Sequence, residues 1–173
     1  GIRILSSSSW QDAYDLMLEL HIACAEVALV NGDVEHAWAL ALAAEENAHT
    51  LLEKIRSMSI HLEIYMLRGE LDQAIELGIA AIRLLEYELE VAKPDPLSVE
   101  KMFQMPEMVD PKVLVVARLA EPLITASFAR NPVWNELFIY FYLDLFSKYG
   151  NPPGASFIYI SYAVNTISHF TDI

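Results

Sequence analysis

Apolar side chains recur along most of the chain at helical spacing. Leu51, Leu52, Ile55, Met58, Leu62, Tyr65 and Met66 fall on one stripe of period 3.6, which predicts a helix over about 50–68. Upstream, "SSWQDAYDLMLELHIACAEVALV" predicts a helix near 10–30. Ser9 stands as its cap, with Asp12 three residues on as the capping-box partner. That run ends at the turn signal "NGD", and Asp33 then opens a helix near 34–48. A fourth helix is expected over about 71–89.

Residues 90–111 interrupt the pattern with four prolines, and Asp95–Pro96 is expected to start one short helix there. Beyond the break, proline marks helix starts. Asp110–Pro111, Asn131–Pro132 and Asn151–Pro152 each place a capping side chain before a residue whose fixed φ and missing N–H suit a first turn. Helices are therefore expected over about 111–130, 132–148 and 153–170, the first kinked at Pro122. No run alternates cleanly enough to predict a strand.

Composition sharpens this picture. With 173 residues, 54% hydrophobic and 20% charged, the chain has the makings of a packed core. A net charge of −13 argues against nucleic acid or an anionic membrane surface as partner, since both need clustered Lys and Arg. The charge is uneven: residues 1–113 carry 20 acidic and 8 basic side chains, whereas 114–173 carry 4 and 3 together with 12 of the 18 aromatics. The single cysteine, Cys24, excludes an intrachain disulfide framework and fits a reducing, cytoplasmic setting. "GIRILSSSSW" lacks the apolar run of a signal peptide, and "ELFIYFYLDLF" is too short to span a bilayer. The chain reads as an excised segment of something larger, because a strongly apolar helix closes it with no partner following.

The small residues of the first half repeat. When Ala25–Ala48 is set above Leu62–Leu85, an offset of 37 residues aligns Glu26, Gly32, Ala37, Leu40, Ala43 and Ala44 with Glu63, Gly69, Ala74, Leu77, Ala80 and Ala81. A glycine at Gly32 or Gly69 ends one helix in a positive-φ turn. Ala74, Gly78 and Ala81 share a face that lets the next helix lie close against the preceding one, with Leu71, Ile75, Ile82 and Leu85 as apolar bulk. Tyr65-x3-Gly69-x4-Ala74, with Ala81 seven residues on, resembles the tetratricopeptide repeat (TPR). In the first copy Ala28 replaces the tyrosine, and the period of 37 makes the pattern TPR-like.

Four longer blocks carry a wider resemblance: "SWQDAYDLMLELHIACAEVALVNGDVEHA", "TLLEKIRSMSIHLEIYMLRGELDQAIELG", "MVDPKVLVVARL" and "SKYGNPPGASFIYISYA". In order and spacing they resemble the helical segment of large multidomain signalling proteins. Those proteins carry a serine/threonine kinase-like domain, a predicted ATPase domain, a TPR-like stretch and often a GAF domain and a histidine kinase. The resemblance implies a noncatalytic linker between an ATPase module and a sensor or kinase output, and it assigns no site.

No catalytic, cofactor or metal site is expected. "ENAH" (Glu46 to His49) has the Glu-x-x-His spacing of di-iron bundles, but a second such motif is absent and a solvated helix end is the better reading. His21 and Cys24 lie one turn apart, too few ligands for structural zinc; a buried cysteine beside a half-exposed histidine is the plainer expectation. "SSSS" (Ser6 to Ser9) reads as a lead-in to a cap. Glu45 and Glu46 diverge by about 100° on a helix and cannot converge on a substrate. The aromatic run Val133 to Gly150 reads as an internal helix, with Trp134, Tyr140, Tyr142 or Phe146 as the alternative interface to a partner.

The expected fold is thus an all-α, TPR-like solenoid of helical hairpins. Residues 1–89 hold two hairpins, 90–110 the proline-rich break, and 111–173 an aromatic-rich hairpin plus an unpaired last helix, all in one continuous domain. Its expected role is protein–protein or interdomain scaffolding, with self-association through exposed apolar faces. The alternative is a small-molecule-sensing domain whose pocket lies in the aromatic half, oriented by tyrosine hydroxyls or His169.

Overall fold

A computed structural model describes residues 9–89, 93 and 99–171, without the side chains of residues 99, 103 and 168–171. The described residues are helical and contain no strand, only an isolated parallel bridge between Glu107 and Asn151. The expected start at Asp95–Pro96, the serines before Ser9 and the side chain of His169 lie outside the described residues. Ten helices follow in order: α1 (Ser9–Asp12), α2 (Tyr14–Val30), α3 (Val34–Asn47), α4 (Leu51–Arg68), α5 (Leu71–Leu84), α6 (Val99–Gln104), α7 (Pro111–Arg118), α8 (Ala120–Arg130), α9 (Pro132–Tyr149) and α10 (Ala155–Thr171). The chain divides into two compact units, Gly1–Leu77 and Gly78–Ile173, with the division inside α5 and not in the proline-rich break.

In the first unit α2 packs on α3, α3 on α4, and α2 also meets α4. Leu18, Ile22, Ala25 and Ala28 of α2, Ala37, Leu40, Ala41 and Ala44 of α3, and Ile60 and Ile64 of α4 form one apolar cluster. Five of the eight residues that α2 and α3 give to it are alanines, whose small side chains suit close helix packing, and each buried Leu or Ile adds about 1.5–3 kcal/mol. Ser9 lies inside the helical turn of α1 instead of capping it. The break comes at Ala13, whose φ of −146° and ψ of 53° are not helical. The capping box belongs instead to α4: Thr50 accepts from the Glu53 N–H, and Glu53 accepts from the Thr50 N–H.

The two aligned glycines end their helices identically. Gly32 and Gly69 take φ of +76° and +72°. At the first, the Asp33 N–H returns to the Ala28 carbonyl at 2.8 Å; at the second, the Glu70 N–H returns to the Tyr65 carbonyl at 2.9 Å. This is the six-to-one bond of a Schellman cap. The α5 helix stops at Leu84, five residues short of expectation, by the same device. There Glu86 takes φ of +65° and the Tyr87 N–H returns to the Ile82 carbonyl.

The second unit gathers α7, α8 and α10 around α9, whose Phe138, Ile139, Tyr142, Leu143 and Phe146 are almost fully buried. Asp110 and Asn131 cap α7 and α9 as expected, each accepting two backbone N–H groups ahead of a proline. Pro122 splits the expected 111–130 helix at Leu119. A proline cannot bond to the carbonyl four residues back, here that of Arg118, and its ring clashes with it. Asn151 does not cap α10. Its side chain donates to the Met102 carbonyl at 2.7 Å and accepts from the Tyr159 hydroxyl, so α10 begins at Ala155.

Candidate functional site

Buried hydroxyls, buried histidines and an apolar cleft are where chemistry or binding has to be sought. His61 of α4 is 5% exposed and belongs to the face of Met58, Leu62 and Tyr65. Its ring packs on Trp38 at 4.3 Å, its Nδ1 lies 3.3 Å from Glu45 Oε2, and its buried Nε2 finds no hydrogen-bond partner among the described residues. Burial lowers its pKa below the ordinary 6.5, and the Glu45 carboxylate opposes that shift. Lys54 lies 3.7 Å from the same glutamate. The surrounding layer is aromatic and charged: Trp38 also meets Tyr65 edge-on and lies under the Arg68 guanidinium, which pairs with Glu35. The His61–Glu45 pair ties α4 to α3.

A second polar cluster holds the α3–α4 turn. Tyr14 donates to Glu53 at 2.8 Å and accepts from the His49 N–H at 2.9 Å, while its ring stacks on the His49 imidazole at 3.7 Å and 5°. Burial raises the Glu53 carboxyl, but hydrogen bonds from Tyr14 and Thr50 outweigh it and hold the group below its usual range. His49 is therefore a stacked turn residue, and Glu46, the other member of the Glu-x-x-His spacing, is exposed.

The His21–Cys24 pair is the reverse of expectation. His21 is buried, donating Nδ1–H to the Met17 carbonyl at 2.7 Å and packing on Trp10, while Cys24 is half-buried. Among the described residues no group of three His, Cys, Asp or Glu side chains is placed to hold a metal. No described helix is long and apolar enough to cross a membrane.

Four of the repeat alanines are buried. Ala37, Ala44 and Ala74 are 0% exposed and Ala81 is 1% exposed. Tyr65 is half-buried against Trp38. Gly78 makes room for Leu123 of α8, where the sequence pointed to the preceding helix: a Cβ built on it would lie 2.3 Å from Leu123 Cδ2.

Of the four aromatics put forward as an interface, Tyr140, Tyr142 and Phe146 are buried inside the second unit, and burial drives the Tyr142 hydroxyl well up in pKa. The Tyr142 hydroxyl has no hydrogen-bond partner among the described residues, and Tyr140 donates to Glu136. Only Trp134 is partly exposed, lining an open groove with Arg83, Glu86 and Tyr87. In the same unit a half-open cleft of about 280 Å³ runs between α8 and α10, lined chiefly by Ile124, Phe128, Phe157, Ile160 and Val164, with Thr125, Ser161 and Asn165 among its polar residues. The alternative pocket expected in the aromatic half falls where this cleft lies, but none of the lining residues was named from the sequence, and neither was His61. His61 was visible as a polar residue on an apolar stripe. The cleft depends on how α8 and α10 cross, which no local pattern encodes.

No family model, curated protein or solved structure matches the chain.

Proposed function

We propose that this chain is a noncatalytic, TPR-like scaffold segment of a larger signalling protein, packing as a hairpin solenoid between an ATPase module and a kinase or sensor output. One observation carries the repeat reading. At a spacing of 37 residues, Gly32 and Gly69 end their helices with the same positive φ and the same six-to-one hydrogen bond, and are followed by the buried alanines Ala37 and Ala74. Such units each leave an apolar face for a neighbour to bury, which is the build of a protein–protein or interdomain spacer.

The intact mass of the native polypeptide tests the context. A chain much longer than 173 residues, carrying ATPase or kinase domains, is the expected result. A native product of this length alone overturns the linker reading. Self-association belongs to the same reading: the isolated segment is expected to bind a hydrophobic dye and to sediment above monomer mass, and a dilute monomer that binds no dye counts against it.

The cleft between α8 and α10 favours a second reading, a regulatory domain that holds a small apolar effector. At about 280 Å³ it is near the lower limit of ligand pockets, and it is open on one side. Fluorescence of a bound apolar dye, compared between wild type and Ile160→Lys, separates the two: unchanged binding in the variant removes this reading.

A further inference from the structure

The outward face of α2 is apolar and uncovered. Leu16 is 57% exposed, Val27 59% and Val30 89%, and between them Leu20 and Cys24 are half-buried and Ala23 is exposed. Exposure alone does not say what belongs there, but the repeat does. Thirty-seven residues on, Leu20, Ala23, Cys24 and Val27 become Ser57, Ile60, His61 and Ile64 of α4. Those four are buried, at 0%, 3%, 5% and 0% exposure. What covers them is the preceding hairpin: Ile60 and Ile64 share one apolar cluster with α2 and α3, and His61 lies on Trp38.

We propose that Leu20, Ala23, Cys24 and Val27 form the docking surface for one further helical hairpin of the α2–α3 build, seated on α2 as α2–α3 is seated on α4. The proposal rests on the repeat reading given above and extends it to a partner of defined chemistry. Its second helix presents alanines at the spacing of Ala37, Ala41 and Ala44. It needs no carboxylates at the places of Glu35 and Glu45, because α2 offers Asn31 and Met17 where α4 offers Arg68 and Lys54 to pair with them.

The period supplies the probe. Inserting a second copy of residues 14–50 immediately before Tyr14 of the full chain keeps the 37-residue register, since Tyr14 then follows Thr50 as Leu51 does. The inserted copy carries Cys24→Ser, Glu35→Gln and Glu45→Gln, leaving the original Cys24 as the sole thiol. Docking is expected to slow maleimide labelling of that thiol about tenfold or more relative to the parent chain. Val27→Lys in the original copy, at a site exposed in the parent, is expected to restore fast labelling. Labelling as fast as in the parent overturns the proposal, whether or not the inserted copy has gained helix by circular dichroism. Protection that survives Val27→Lys overturns it too, because the cover then lies elsewhere. Neither result bears on the spacing of the two hairpins already present, which is measurable separately in the parent chain.

Discussion

Replacing Gly78 with alanine puts two effects of similar size in opposition. Alanine in a helix interior is favoured over glycine by about 1 kcal/mol. At this position, however, the new Cβ would lie 2.3 Å from Leu123 Cδ2 and 2.8 Å from both Cδ1 and Cγ. Leu123 is 0% exposed, so its side chain has no solvent to swing into. Overpacking of this kind costs roughly 1–3 kcal/mol, and taking the middle of that range the clash wins by about 1 kcal/mol. A loss of that size lowers the melting temperature of a domain of this length by about 2–4 °C. Leu123→Ala alone removes the obstacle but leaves a cavity, at a cost of roughly 2–5 kcal/mol. In that background the clash is gone while the propensity gain remains, so Gly78→Ala is expected to stabilise by about 1 kcal/mol. Urea unfolding of the four proteins reads the sign directly, with a coupling of about 2 kcal/mol between the sites. Equal effects of Gly78→Ala in both backgrounds would refute the close approach of α5 to α8.

Three further outcomes follow from the same structure. Gly32→Ala and Gly69→Ala are expected to destabilise equally, by about 1–2 kcal/mol, because both positions need a left-handed backbone and neither has an atom within 4 Å to add a clash; unequal losses in urea unfolding would count against equivalent caps. Gly150→Ala is expected to be worse, since φ is +96° and the new Cβ would sit 2.4 Å from the Pro106 carbonyl oxygen, a backbone atom. Hydrogen exchange should then quicken at Met108 and Asn151, whose N–H groups bond across that junction, and unchanged protection there would refute the account. His61 has a folded-state pKa below its unfolded value, so its neutral form is favoured by folding. Its contribution is full above the unfolded pKa of 6.5 and is lost as pH falls from there towards the folded value. The urea midpoint of wild type should therefore fall more steeply below about pH 6.5 than that of His61→Gln, and parallel profiles would show that His61 does not drive the loss.

Helices, caps and the glycine turns were legible because each depends on residues within one or two turns. Asp110 and Asn131 cap as read, and Gly32 and Gly69 turn as read. Two failures are local rules overruled by distant partners. Asn151 has the sequence of a cap, but Met102 and Tyr159 claim its side chain across 49 and 8 residues. Gly78 has the look of a contact with the preceding helix, yet the contact it serves comes from Leu123, 45 positions away. Helix α5 stops early because Glu86 adopts a left-handed backbone that no propensity favours. The candidate surfaces were not legible either: α2 is apolar nearly all round, so its spacing does not mark the uncovered stripe, and the burial of Tyr140, Tyr142 and Phe146 comes from the packing of α9 inside the second unit.

Equivalence of the two hairpins is the claim on which the scaffold reading and the docking surface both rest. Pulsed dipolar spectroscopy measures it in a Cys24→Ser background, with spin labels at the exposed pair Glu26 and Ala39 in one protein and at their 37-residue counterparts Glu63 and Glu76 in another. A repeat predicts coincident mean distances for the two pairs. Means that differ by more than the widths of the distributions would show that the shared glycines and alanines do not build the same unit twice.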